Sequence, residues 1–115
     1  MMTDTVNTRE LALNILLQFE KEKVPSHMAI RQMLEKYQFL PKQDRAFITR
    51  LCEGSVEYQI QNDYVINQYS KVKIHKCKPV IRTLLRMSVY QIRFMDSVPD
   101  SAVVNEAVKL EAKKG

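Results

Sequence analysis

An all-α helical bundle is the fold class this chain predicts, and three observations carry it. Apolar residues recur three and four positions apart instead of alternating, only two glycines occur, Gly54 and Gly115, and prolines fall between the periodic segments and not within them. With 115 residues and 45% apolar content the sequence is expected to form one domain around one core, five or six helices in all.

Residues 1–6 precede the first periodic segment and are expected to be disordered. Over about 7–23, Leu11, Ile15 and Phe19 lie four apart with Ala12 and Leu16 beside them, a broad buried stripe. Val24-Pro25 ends that helix, and Ser26 is a natural N-cap for a second one reaching about Tyr37, with Met28, Ile30, Met33 and Leu34 as its apolar residues. Phe39-Leu40-Pro41 makes the next break. From Lys42 the pattern aligns Phe47, Leu51, Ser55 and Tyr58, with Ile48 and Cys52 adjacent, and continues past Tyr58 with a bend before Tyr64. Gly54 within this helix costs about 1 kcal/mol relative to alanine, which predicts a close helix crossing there.

A basic loop, about Ser70 to Lys78, leads to Pro79, a first-turn residue. The helix over about 79–95 stacks Ile81, Leu85, Val89 and Ile92, flanked by Leu84 and Tyr90. After a turn at Asp96-Ser97-Val98-Pro99, the last helix carries Val103, Val104, Ala107, Val108 and Leu110.

Charge is concentrated. From Tyr64 to Met95 there is no acidic residue, yet Lys71, Lys73, Lys76, Lys78, Arg82, Arg86 and Arg93 all fall there; the whole chain carries only +5, so the remainder is net acidic. Localised cations neutralise phosphates and release counterions, which points to a nucleic acid. At about 100 degrees per residue, Lys78, Arg82, Arg86 and Arg93 fall within about 80 degrees of one another, a ridge that the loop lysines would extend into a phosphate track. Arg86, between Leu85 and Met87, is open to another role: a structural ion pair with Asp96 or Glu106. Arg9, at the start of the first helix, opposes the helix dipole and is assigned a tertiary or RNA-binding role. Tyr58 and Tyr90 fall on core lines; Tyr64 and Tyr69 are the candidates for base stacking.

Catalysis has no support in these residues. There is no glycine-rich phosphate loop, no HExxH and no nucleophile with its base, and Cys52 falls on a core-facing line. No cofactor and no metal is expected, since Cys77 with His75 gives only two local candidate ligands. The two cysteines lack CxxC spacing, and no apolar run approaches the roughly 18 residues of a membrane span, so a cytoplasmic chain with reduced thiols is expected.

Three segments then carry a resemblance: Leu84-Leu85-Arg86-Met87-Ser88-Val89-Tyr90-Gln91-Ile92, Met95-Asp96-Ser97-Val98-Pro99, and Ala102-Val103-Val104-Asn105-Glu106-Ala107-Val108. With Arg9 to Leu16 and Leu40 to Phe47, they resemble the NusB-like helical domain, in the version that begins the Sun or RsmB type of 16S ribosomal RNA cytosine-C5 methyltransferase. The resemblance implies a non-catalytic domain that helps position ribosomal RNA for a catalytic domain in cis, with S-adenosylmethionine bound by that domain, which this sequence does not include. It also implies a further helix after Gly115, and an apolar groove prone to self-association where that helix would pack. The free-standing NusB antitermination factors, which bind RNA together with a ribosomal protein, share the resemblance. A protein-docking helical module is the remaining alternative.

Overall fold

A computed structural model describes residues 7–23 and 26–114, which form six α-helices: α1 Thr8–Glu22, α2 Ser26–Glu35, α3 Lys42–Glu57, α4 Gln59–Tyr69, α5 Pro79–Phe94 and α6 Asp100–Lys114, with a 3-10 turn at Ile74–Lys76. The disorder expected for residues 1–6, the break at Val24-Pro25 and the Ser26 side-chain cap lie outside what is described.

The boundaries follow local chemistry. Asn7 caps α1 by accepting from the Glu10 N–H, and Lys23 closes it in the left-handed conformation, φ 55°, with its N–H on the Phe19 carbonyl. Pro79 opens α5, where its missing N–H is no loss. Arg50 Nη2 donates to the Phe94 carbonyl at 2.7 Å and so satisfies a terminal acceptor of α5. The second helix ends at Glu35, short of Tyr37; the Lys36 and Tyr37 N–H groups reach Met33 and Leu34 carbonyls in tighter turns. The third periodic segment divides at Tyr58, six residues before the expected bend: its N–H donates to Gly54, its carbonyl accepts from Asn62, and its ring stacks on Phe94 at 4.4 Å.

Helix α5 is the centre of the bundle and packs against α1, α3, α4 and α6. Leu13, Ile15, Ile30, Ile48, Leu51, Met87 and Val103 are fully buried, and Tyr90 packs with Tyr58 and Phe94 in an aromatic cluster. At the α3–α5 crossing the Gly54 backbone meets the Tyr90 ring, the close approach that the glycine predicted.

The core face of α5 is rotated from the expected one. Thr83, Leu84, Met87, Tyr90 and Gln91 are buried, whereas Ile81, Leu85 and Val89 are half-buried and Ile92 is 43% exposed. Both faces of α5 are apolar, and the buried one is that which α1 and α3 cover. Gln91 can be buried because its Nε2 donates to the Met87 carbonyl while its Oε1 accepts from Arg9. On α6, Val103 and Leu110 are buried; Val104 and Val108 are exposed.

Candidate nucleic-acid interface

The stretch without acidic residues folds into two different electrostatic objects. The first is the connection between α4 and α5. Ile74 anchors it in the core, and Asn67 Oδ1 accepts from the Ile74 N–H at 2.8 Å, which fixes the 3-10 turn against α4. Around that anchor Lys71, Lys73, Lys76 and Lys78 are all exposed, and none has a carboxylate within ion-pair distance among the described residues. Lys73 Nζ touches only the Asn67 carbonyl, at 3.5 Å. Tyr69, 88% exposed, and Val72 stand next to these lysines in the chain, and Tyr64 is 67% exposed on the same helix as Tyr69. Unpaired ammonium groups beside exposed aromatic rings are the equipment for phosphates and bases.

The second object is the row of arginines on α5, and here the expected ridge does not form. Arg82 pairs with Glu20 of α1 and donates through Nη1 to the Cys77 carbonyl at 2.8 Å; its side chain is largely buried. Arg86 makes a bidentate pair with Asp63 of α4, Nε to Oδ1 and Nη2 to Oδ2, both 2.8 Å. Arg86 therefore has a structural ion pair, but neither Glu106 nor Asp96 supplies it; Glu106 lies 3.5 Å from Lys109 on its own helix. Arg93 donates to Asn62 Oδ1 at 2.6 Å and lies over the Phe94 ring. Arg82 and Arg86 share one physical reason: α5 is the central helix, so this face meets α1 and α4, whose carboxylates neutralise it. Arg93 stays exposed and keeps its charge, Asn62 only accepting its hydrogen bond.

Arg9 is likewise engaged within the fold. Its Nε donates to Gln91 Oε1 at 3.0 Å and its guanidinium lies over the Phe47 ring. It also stands eleven residues along α1 from Glu20, about 16 Å of helix rise from the end of α1 that meets Arg82. The sequence reading missed Asp63, Glu20 and Asn62; Asp63 was visible only as the last acidic residue before the basic stretch.

Between α1, α3 and α5 lies a cavity of about 410 Å³, which His75 of the basic connection also lines. An apolar groove of about 180 Å³ runs between α5 and α6, lined by Leu84, Leu85 and Val108 among others. Cys52 is fully buried, and burial pushes its thiol up to about 12, so it offers no nucleophile. No helix among the described residues is long and apolar enough to cross a membrane.

A family model described as the NusB family matches residues 6–115. The chain is 34% identical over 110 residues to a probable ribosomal RNA small subunit methyltransferase B of Synechocystis sp., covering 96% of this chain and 24% of that protein. A protein of the same description from Bacillus subtilis is 29% identical, again with 24% of its length covered. The chain thus spans about a quarter of these methyltransferase relatives. With the transcription antitermination protein NusB of Symbiobacterium thermophilum it shares 33% identity, over 89% of this chain and 72% of that protein. The fold matches a crystal structure of antitermination factors NusB and NusE in complex with dsRNA, with a TM-score of 0.83 and 19% identity over 94% of this chain and 80% of that one.

Proposed function

The chain belongs to the NusB family, and from that premise we propose that it binds RNA through the connection between α4 and α5, in the manner of an antitermination factor that acts with a NusE-like protein partner. The observation that carries this reading is the set of four exposed lysines, Lys71, Lys73, Lys76 and Lys78, without carboxylate partners among the described residues, beside exposed Tyr69. Four such ammonium groups gathered on one short connection are free to neutralise phosphates. The relatives described as antitermination proteins, of which the chain covers 71–79%, support the antitermination branch.

A second reading has its own support in the similarity to the methyltransferase relatives, which extends over 95% and 96% of this chain. On that reading the same lysines hold ribosomal RNA for a catalytic domain in cis that uses S-adenosylmethionine. Both readings share the RNA contact and differ in the protein that works beside it.

Equilibrium binding to double-stranded and single-stranded RNA, with and without an equimolar NusE protein, tests both. The antitermination reading expects RNA affinity to rise at least tenfold with NusE. Affinity for 16S ribosomal RNA fragments that NusE leaves unchanged favours the methyltransferase reading. Charge reversal at Lys73, Lys76 and Lys78 to glutamate is expected to abolish RNA binding with helical content intact; undiminished binding would remove the connection from the interface.

A further inference from the structure

The cavity between α1, α3 and α5 combines features that a packing defect would not. Its volume of about 410 Å³ lies within the roughly 300–1,000 Å³ typical of small-molecule sites. Ser55 lines it, only 3% exposed, and its Oγ has no hydrogen-bond partner, an orphan buried hydroxyl of a kind that native folds seldom leave unexplained. Leu16, Phe19 and Val56 give it an apolar wall. Lys23, Arg82 and Arg86 bring three positive charges to the lining against a single lining carboxylate, Glu20. Arg82 is tied to Glu20 and Arg86 to Asp63, but Arg86 engages Asp63 through Nε and Nη2, so its Nη1 has no protein acceptor among the described residues. Lys23 is exposed and makes no ion pair among those residues. Exposed His75 links the cavity to the lysine connection, because it sits in the 3-10 turn between Lys73 and Lys76.

An apolar wall, one buried hydroxyl, the unpaired Lys23 ammonium and the free Nη1 of Arg86 fit a planar heterocycle that carries a phosphate. We propose that this cavity receives one unstacked nucleoside monophosphate unit of the RNA strand that crosses the lysines. The base lies against Leu16, Phe19 and Val56, Ser55 Oγ bonds its edge, and Lys23 with Arg86 Nη1 holds its phosphate. The proposal deepens the RNA reading and rests on it. A free nucleotide has the same chemistry, so the test separates the two sources.

The probes are AMP, GMP, CMP and UMP, titrated singly into the protein while NMR follows the amides of Ser55, Val56 and Thr83, with inorganic phosphate as the reference. At least one nucleotide is expected to give saturable shifts there at millimolar concentration, more tightly than phosphate does. Ser55→Ala is expected to weaken that nucleotide at least fivefold with an unchanged or higher Tm, because it removes an orphan hydroxyl. Lys23→Asn, which keeps a residue tolerant of the left-handed backbone, is expected to weaken it as well. No shift at these amides with any of the four, or full affinity in Ser55→Ala, overturns the proposal.

The second arm uses single-stranded RNA octamers. The bound octamer is expected to displace the nucleotide from the cavity, whereas simultaneous binding of both would assign the cavity to free nucleotide and overturn the strand assignment. Charge reversal of Lys73, Lys76 and Lys78 keeps the two failures apart. It is expected to remove octamer binding and leave the mononucleotide shifts in place; octamer binding that survives it sinks the lysine reading alone.

Discussion

Arg86 and Asp63 face each other across the α5–α4 packing in a fork-to-fork pair, two parallel hydrogen bonds of 2.8 Å, with both side chains mostly withdrawn from solvent. This pair ties the helix that precedes the basic connection to the helix that follows it. The lysines are therefore presented from a fixed frame even though their own side chains are free.

Removing one member of that pair leaves the other charge partly buried and unpaired. Arg86→Ala is expected to destabilise the fold by about 2 kcal/mol, within the range for hydrogen bonds to charged groups. Asp63→Asn is expected to cost somewhat less, and the double variant less than the sum. A double-mutant cycle read by urea denaturation checks the coupling; strict additivity would show that the pair contributes nothing.

Gly54 bears on the α3–α5 crossing. A Cβ there would run into the Tyr90 ring, which Tyr58 and Phe94 pack against. Alanine gains about 1 kcal/mol in helix propensity but overpacks a crossing that has no room to relax. Gly54→Ala is expected to destabilise by about 1–3 kcal/mol net. Pairing it with Tyr90→Phe should not restore stability, since the ring carbons clash as well as the hydroxyl; Tyr90→Leu should restore part of it.

Glu10 receives Lys113 Nζ at 2.9 Å and Lys114 Nζ at 3.1 Å, which joins the start of α1 to the end of α6. The hydrogen bonds and charges of these lysines hold its carboxyl below the usual carboxylate range, against a smaller opposing effect of desolvation. A depressed folded pKa means that the stabilisation is complete above the unfolded value and is lost as pH falls through the folded one. The stability difference between the native chain and Glu10→Gln is therefore expected to be constant above about pH 5 and to shrink below pH 4.5. Chemical denaturation at pH 7 and pH 3 measures it, and a difference that grows in acid would contradict the assignment.

Element type and order were legible in the sequence because prolines punctuate strong helical periodicity. The face of α5 was not. Its Ile81–Leu85–Val89–Ile92 line and its Leu84–Met87–Gln91 line are both suitable for burial, and only the arrival of α1 and α3 decides between them. Gln91 is buried because Arg9, 82 residues away, meets it. The arginine partners were illegible for the same reason: Asp63 is 23 residues from Arg86 and Glu20 is 62 from Arg82, distances at which spacing rules are silent. The loop lysines fared differently, since a run of cations without a nearby acid on a short connection has few carboxylates within reach.

The most direct measurement of the central claim is the salt dependence of RNA binding in the native chain and in a variant with Lys71, Lys73, Lys76 and Lys78 all replaced by glutamine. If these four ammonium groups contact phosphates, the slope of log affinity against log salt is expected to become less negative by about three, at roughly 0.7–0.9 per contact, with the Tm unchanged. An identical slope in both proteins would contradict it.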